Sequence, residues 1–257
     1  MIIGGECQIQ NEKTTMENAD GIRQIAKNLN IEIIFKASYS KKNRTRVDSE
    51  TGVGINEGLR ILSRVKKDLG LKVTTDVHET IEVGPTALIA DLLQVPSFLS
   101  RQTELILACA RSGKPVNVKK GQFMSPSDTQ YLAEKLRVGG CKQFFCTERG
   151  TSFGHNALVV DFSGFPEIRR YIPLIFDATH SVQKPASENG ITGGNRDLIE
   201  PMARAAIAVG CDGLFFETIF NPDSSPSDAQ NIYDLTKFEG LLKRLLVLEK
   251  AVPKIIL

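Results

Sequence analysis

The sequence contains no apolar run approaching the roughly 20 residues that a membrane-spanning helix needs, so no transmembrane segment is expected. Its start, Met1-Ile2-Ile3-Gly4-Gly5-Glu6-Cys7, lacks a basic stretch followed by a long apolar one, and no secretory signal is read there. The five cysteines, at 7, 109, 141, 146 and 211, include no Cys-x-x-Cys pair. An odd cysteine count without a signal predicts reduced thiols in the cytoplasm, most of them small buried hydrophobes. Net charge is nearly absent: 32 Lys and Arg stand against 30 Asp and Glu. That balance gives no reason to expect nucleic acid or an anionic membrane as partner. Low-complexity segments and long linkers are missing too. The 257 residues, 41% of them hydrophobic, are therefore read as one globular domain over 1–257.

What is present is a repeating unit: a short apolar run, a polar turn, then an amphipathic stretch. The apolar runs are 2–3, 31–35, 71–75, 88–95, 115–118, 143–147, 172–176 and 213–216. Such runs, mostly without alternation, suit parallel strands buried on both faces. Helical periodicity covers 57–69, 128–138, 197–209 and 237–252, and Gly70, Gly113, Gly139 and Gly210 fall where helix C-caps belong. Eight strands alternating with helices predict a (β/α)8 barrel, with a doubly wound open sheet as the alternative. No Gly-x-Gly-x-x-Gly follows a strand, so a dinucleotide site is not supported.

In a barrel, functional groups collect at the C-terminal ends of the strands. Each apolar run here leads into polar residues: Cys7; Lys36, then Lys41, Lys42, Asn43 and Arg44; Asp76; Arg101 and Gln102; Lys119 and Lys120; Glu148 and Arg149; Asp177 and His180; Glu217. Converging on one mouth, they would favour a small, highly anionic ligand such as a phosphate ester. Blander readings stay open. Residues 41–46 also read as a solvated basic loop, and Arg149 as an ion-pair partner of Glu148. Side chains alternate along a strand, so Lys119 and Lys120 cannot both point inward, and one is expected at the surface or an interface. His180 near Glu217, with Cys7 on a neighbouring closing strand and Asp228 in the last loop, would make a four-ligand site of borderline softness suited to Zn, Fe or Mn. A structural histidine is the competing reading. Gly190 to Gly194 reads as a mobile loop or an ordinary surface turn.

Taken together, Phe35-Lys36-Ala37-Ser38, Lys41-Lys42-Asn43-Arg44, Thr74-Thr75-Asp76-Val77-His78-Glu79, Arg101-Gln102-Thr103, Val116-Asn117-Val118-Lys119-Lys120-Gly121-Gln122-Phe123, Thr147-Glu148-Arg149-Gly150 and Asp177-Ala178-Thr179-His180-Ser181-Val182-Gln183 resemble the 3-deoxy-D-manno-octulosonate 8-phosphate synthases over essentially the full length. The resemblance implies a cytoplasmic (β/α)8 barrel, usually a homotetramer, that joins phosphoenolpyruvate to arabinose 5-phosphate for lipopolysaccharide precursors. It implies that Lys36, Lys119 and Arg149 hold phosphoenolpyruvate, supported by Gln102. Lys41, Asn43, Arg44 and Thr45 would take the sugar phosphate, and Asp76 and Gln183 would join the substrate contacts. Cys7, His180, Glu217 and Asp228 match the ligands of the metal-dependent branch; the metal-independent branch carries Asn at the position of Cys7. Departures accompany this. Glu6 stands where Pro is common and is expected to alter metal preference. Ile219 replaces a common His, and 48–54 lacks a common Arg. A sibling synthase using erythrose 4-phosphate usually carries Lys-Pro-Arg where this chain has 41–44. A non-catalytic phosphosugar-binding barrel is a further alternative.

Overall fold

The computed structural model describes residues 1–43, 47–188, 191–225 and 229–253. Eight parallel strands recur along it: β1 (Ile2–Gln8), β2 (Ile33–Ser38), β3 (Val73–Asp76), β4 (Leu92–Val95), β5 (Val116–Lys119), β6 (Phe144–Glu148), β7 (Leu174–Asp177) and β8 (Gly213–Ile219). A helix follows each: α1 (Glu12–Leu29), α2 (Ile55–Leu69), α3 (Thr80–Ile89), α4 (Thr103–Arg111), α5 (Thr129–Val138), α6 (Phe165–Tyr171), α7 (Ile199–Val209) and α8 (Leu235–Ala251). Pairing runs in chain order, and Ile2 lies opposite both Ile33 of β2 and Leu214 of β8. The sheet therefore closes on itself, which settles the choice between barrel and open sheet in favour of the (β/α)8 barrel.

Local chemistry sets the element ends. The side chain of Asn11 caps α1 by accepting from the Thr14 backbone N–H at 3.0 Å, and Asp234 caps α8 through Thr236 at 2.9 Å. Gly70 ends α2 in the left-handed conformation, as its position predicts. The run at 88–95 proves composite: Leu88 and Ile89 belong to the last turn of α3, and the strand begins only at Leu92. A helix end and a strand start abut here with only Ala90 and Asp91 between them, so hydrophobicity alone shows no break. Of the stretch from Gly190 to Gly194, Gly190 lies outside the described residues and the rest is strand. Gln183–Glu188 and Ile191–Gly194 form an antiparallel hairpin with Gln183 opposite Gly194.

Because side chains alternate, each strand serves two cores. Outward residues such as Phe35, Val116, Val118, Leu174 and Phe216 pack beneath the helices in the large core. Inward, Ile3, Ile34, Leu92, Ile175 and Phe215, with Phe145 against them, form a separate apolar plug. Two residues further along these strands the inward side chains turn polar: Lys36, Gln94, Thr147, Asp177 and Glu217. The plug floors the barrel, and its open end is the polar C-terminal mouth.

The loop after β2 is seated on α2 through Tyr39, which is fully buried. A Cβ added at Gly58 of α2 would lie 2.2 Å from the Tyr39 Cβ. Alanine ordinarily gains about 1 kcal/mol over glycine inside a helix. Here the overlap should outweigh that gain, and Gly58→Ala should lower stability by about 1–3 kcal/mol. Thermal unfolding checks it; an unchanged or raised Tm would show that this contact is soft.

Candidate active site at the barrel mouth

Burying a charge without a partner is expensive, and in this mouth the lysines stand next to acids or backbone carbonyls. Lys36 of β2 is 1% exposed, and its Nζ donates to Glu217 Oε1 at 3.0 Å, Cys7 O at 2.9 Å and Glu6 O at 3.2 Å. Lys119 of β5 donates to Asp177 Oδ2 at 2.6 Å and lies 3.6 Å from the centroid of the Phe215 ring. Burial pulls the Lys119 pKa down, and the Asp177 carboxylate opposes that pull. Arg149, just past β6, reaches Ser97 Oγ at 3.4 Å and Gln183 Oε1 through its two terminal nitrogens. Lys41 lies 3.4 Å from Asp76 Oδ2, and Ser38 donates to the same oxygen.

His180 joins the two halves of this network. Its Nδ1 meets Asp177 Oδ2 at 2.6 Å, and its Nε2 lies 3.3 Å from Glu217 Oε1. The backbone N–H groups of Thr179 and His180 donate to Asp177 Oδ1 at 3.2 and 2.9 Å, which fixes that carboxylate. Burial disfavours charge on the ring, but Asp177 and Glu217 together hold its pKa well above the ordinary histidine value. A carboxylate on one ring nitrogen, as Asp177 is on Nδ1, is how proteins orient a metal-binding histidine, whose other nitrogen would face the ion.

The structure brings together Lys36, Lys41, Asp76, Lys119, Arg149, His180, Gln183 and Glu217. Cys7 is buried at the end of β1, in a small apolar group with Ile219 and Ile232. Gly5, two residues before it, lies opposite both Glu217 and Lys36. Of the four expected metal ligands, His180 and Glu217 are in contact and Cys7 shares Lys36 with Glu217, while Asp228 lies outside the described residues. Imidazole, carboxylate and thiol are donors that suit a borderline divalent ion. Among the described residues no three His, Cys, Asp or Glu side chains are gathered tightly enough to hold one unaided. Arg44 and Thr45 also lie outside the described residues, and Asn43 is exposed beside them.

One expectation needs correction, and two residues take places the sequence did not show. Gln102 is exposed at the N-terminus of α4, while Gln94 of β4 lies inside the barrel, its Nε2 donating to Asp76 Oδ1 at 2.7 Å. Lys120 points away from the mouth, as alternation requires, yet it is fully buried rather than at a surface. It pairs with Glu148 Oε2 at 3.3 Å and donates to Met124 O at 2.9 Å. Glu148 in turn accepts from the backbone N–H groups of Arg149 and Gly150 at 2.8 and 2.5 Å, so this pair sets the turn that aims Arg149. Glu6 does not turn toward the metal candidates. Its carboxylate accepts from Thr15 Oγ1 and, at 3.0 Å, from Asn18 Nδ2, both on α1. Only its backbone oxygen faces Lys36, at 3.2 Å.

Residue patterns gave no hint of Glu82. Its Oε2 accepts from Tyr39 Oη and from the His78 backbone N–H, both at 2.8 Å, and its Oε1 from Lys42 at 2.8 Å. Lys42 also meets Glu79 at 2.5 Å. One carboxylate on α3 thus pins the described part of the loop after β2.

A family model described as the DAHP synthetase I family matches residues 1–252. The chain is similar to a 2-dehydro-3-deoxyphosphooctonate aldolase of Cyanothece sp., 46% identical over 251 residues, covering 97% of this chain and 92% of that protein. Proteins of the same name from Trichlorobacter lovleyi and Desulfatibacillum aliphaticivorans are 45% and 46% identical, over 253 and 252 residues. These alignments cover 98% of this chain in both cases, and 93% and 92% of the relatives.

Burial raises the pKa of Glu82, but the donors Lys42, His78 N–H and Tyr39 outweigh it and hold the carboxyl at about 2, below its ordinary 4.5. A depressed carboxyl stabilises the fold above pH 4.5 and loses that contribution as pH falls toward 2. Glu82→Gln should therefore lower neutral-pH stability by up to about 3 kcal/mol and flatten the acid limb of the stability curve. Denaturant unfolding from pH 7 to 2 measures this; parallel curves for parent and variant would refute it.

Proposed function

Because the chain belongs to the DAHP synthetase I family, and within it to the 2-dehydro-3-deoxyphosphooctonate aldolases, we propose the following reaction. Phosphoenolpyruvate condenses with D-arabinose 5-phosphate and water to give 3-deoxy-D-manno-octulosonate 8-phosphate and phosphate, a step toward lipopolysaccharide precursors. The observation that carries this reading is the convergence of Lys36, Lys41, Lys119 and Arg149, from three strands and the turns after them, on one mouth with buried carboxylates between them.

In the reaction, carbon 3 of phosphoenolpyruvate bonds to the aldehyde carbon, whose oxygen takes a proton and becomes a hydroxyl. Water adds at carbon 2, where positive character develops. The bond from carbon 2 to the phosphate oxygen breaks, phosphate leaves with the second proton, and the water oxygen remains as the ketone. The residues have separate tasks. Lys36, Lys119 and Arg149 neutralise the phosphate and carboxylate of phosphoenolpyruvate. Lys41, Asn43, Arg44 and Thr45 receive the sugar phosphate. Fixing two mutually repelling anions in register is worth several kcal/mol, with a ceiling of roughly 7–11. Their preorganised counter-charges need no rearrangement when charge shifts. Asp177 and Glu217 hold His180 in place, and Gln183 holds Arg149.

Cys7, His180, Glu217 and Asp228 are the residues that would hold a divalent ion, Zn, Fe or Mn; such an ion would supply Lewis acidity to the aldehyde or to the attacking water. Bound to it, His180 would not serve as a free base. The reading extends to a cytoplasmic homotetramer. No described helix is long and apolar enough to cross a membrane. The second reading, erythrose 4-phosphate as acceptor, follows from the breadth of the family. Lys41-Lys42-Asn43-Arg44 favours the pentose.

Offering each aldose in turn with phosphoenolpyruvate, and following phosphate release, tests the assignment; release with erythrose 4-phosphate alone would replace it. Lys119→Met and Arg149→Ala are expected to lower turnover by roughly 10²–10³-fold while retaining a native circular-dichroism spectrum. Near-parental rates in both would count decisively against the phosphate clamp. Chelation should remove bound metal and turnover together, and back-titration with Zn, Fe or Mn should restore both. Full turnover by protein shown to be metal-free would refute the metal reading and leave the condensation standing.

A further inference from the structure

Between the apolar plug and the charged mouth lies a layer of side chains that in a barrel is ordinarily Val, Ile or Leu. Here it is polar across five consecutive strands. Thr147 Oγ1 of β6 donates to Asn117 Oδ1 of β5 at 2.8 Å. Asn117 Nδ2 donates to Gln94 Oε1 of β4 at 3.0 Å. Gln94 Nε2 donates to Asp76 Oδ1 of β3 at 2.7 Å, and Ser38 of β2 donates to Asp76 Oδ2 from the other side. Gln94, Asn117, Thr147 and Ser38 are fully buried, and Asp76 is 4% exposed.

The direction of this chain is forced. An ionised carboxylate only accepts, so Gln94 must present its amide hydrogens to Asp76 and its oxygen to Asn117. Asn117 must then donate to Gln94 and accept from Thr147, which is left as the donor at the far end. In this one orientation every contact along the chain sets a donor against an acceptor. Reversing any amide would set oxygen against oxygen in a buried layer, where an unmet polar group is most costly. Asp76, taken up on Oδ1 by Gln94, turns Oδ2 toward Ser38 and Lys41.

We propose that Gln94, Asn117 and Thr147 are positioning residues, a hydrogen-bonded belt beneath the active site that fixes the carboxylate of Asp76 and through it the ammonium group of Lys41. The belt also places Asn117 and Thr147 two residues before Lys119 and Arg149 on their strands, directly under the phosphate clamps. Its effect on catalysis rests on the condensation proposed above; the hydrogen-bond coupling itself does not.

Thr147→Val removes only the terminal hydroxyl at nearly constant volume, whereas Thr147→Ser keeps it. The test is a double-mutant cycle of Thr147→Val with Asp76→Asn, read both as Tm and as kcat/KM for arabinose 5-phosphate, with Thr147→Ser alongside. Thr147→Val should lower kcat/KM by about three- to tenfold in the parent and much less in the Asp76→Asn background, with matching non-additivity in Tm. Thr147→Ser should stay near the parent. Additive effects in both readouts, or a loss of kcat/KM that Thr147→Ser shares, would overturn the belt. The Tm cycle needs no turnover, so an inactive parent would refute the condensation while the belt is still judged. If Thr147→Val does not fold, Thr147→Ala carries the same cycle.

Discussion

The mouth of this barrel is organised by one constraint: charges taken out of water must be met by opposite charge. Lys36 and Glu217 are each 1% exposed and 3.0 Å apart, and Asp177 is fully buried between Lys119 and His180. Pairs of this kind are weak evidence for stability, since apolar residues of like volume often do as well. Their value here is positional. Because each cation is already oriented by an acid or a carbonyl, the mouth presents fixed positive ends rather than flexible lysines seeking partners. That is the condition under which electrostatic stabilisation costs least at the moment of reaction.

Much of this was legible in the sequence because barrels follow a simple rule. Apolar runs ending in Lys36, Lys119, Arg149, Asp177 and Glu217 could be read as strands delivering polar groups to one end, and all five face the mouth. Legibility failed where a residue's partner is distant in sequence. Lys120 was readable as the residue facing away from the mouth, but its burial depends on Glu148 and the Met124 carbonyl. Glu82 lies 43 positions from Tyr39 and was invisible to any local pattern. Gln94 was not legible because a glutamine inside an apolar strand looks incidental until its partner Asp76 on the next strand is known. The run at 88–95 shows the converse limit, since hydrophobicity does not mark where α3 stops.

Glu6 illustrates how a departure from a family pattern should be weighed. Proximity in sequence to Cys7 suggested a role in the metal site, yet strand alternation turns the side chain the other way, into α1. There Thr15 and Asn18 receive it, and Asn18 also accepts from the Phe220 backbone N–H at 3.1 Å. The substitution ties β1, α1 and the segment after β8 together, a structural task on the far side of the wall from the chemistry.

The pairing of Ile2 with Leu214 joins residues separated by most of the chain. During synthesis β1 is made first, yet one of its edges cannot be satisfied until β8 has left the ribosome. Until then the nascent barrel is an open, curled sheet with an exposed strand edge, the kind of surface that pairs promiscuously with other chains. Cys7 and Glu217 sit on opposite sides of that seam, so the site is complete only once the seam has closed.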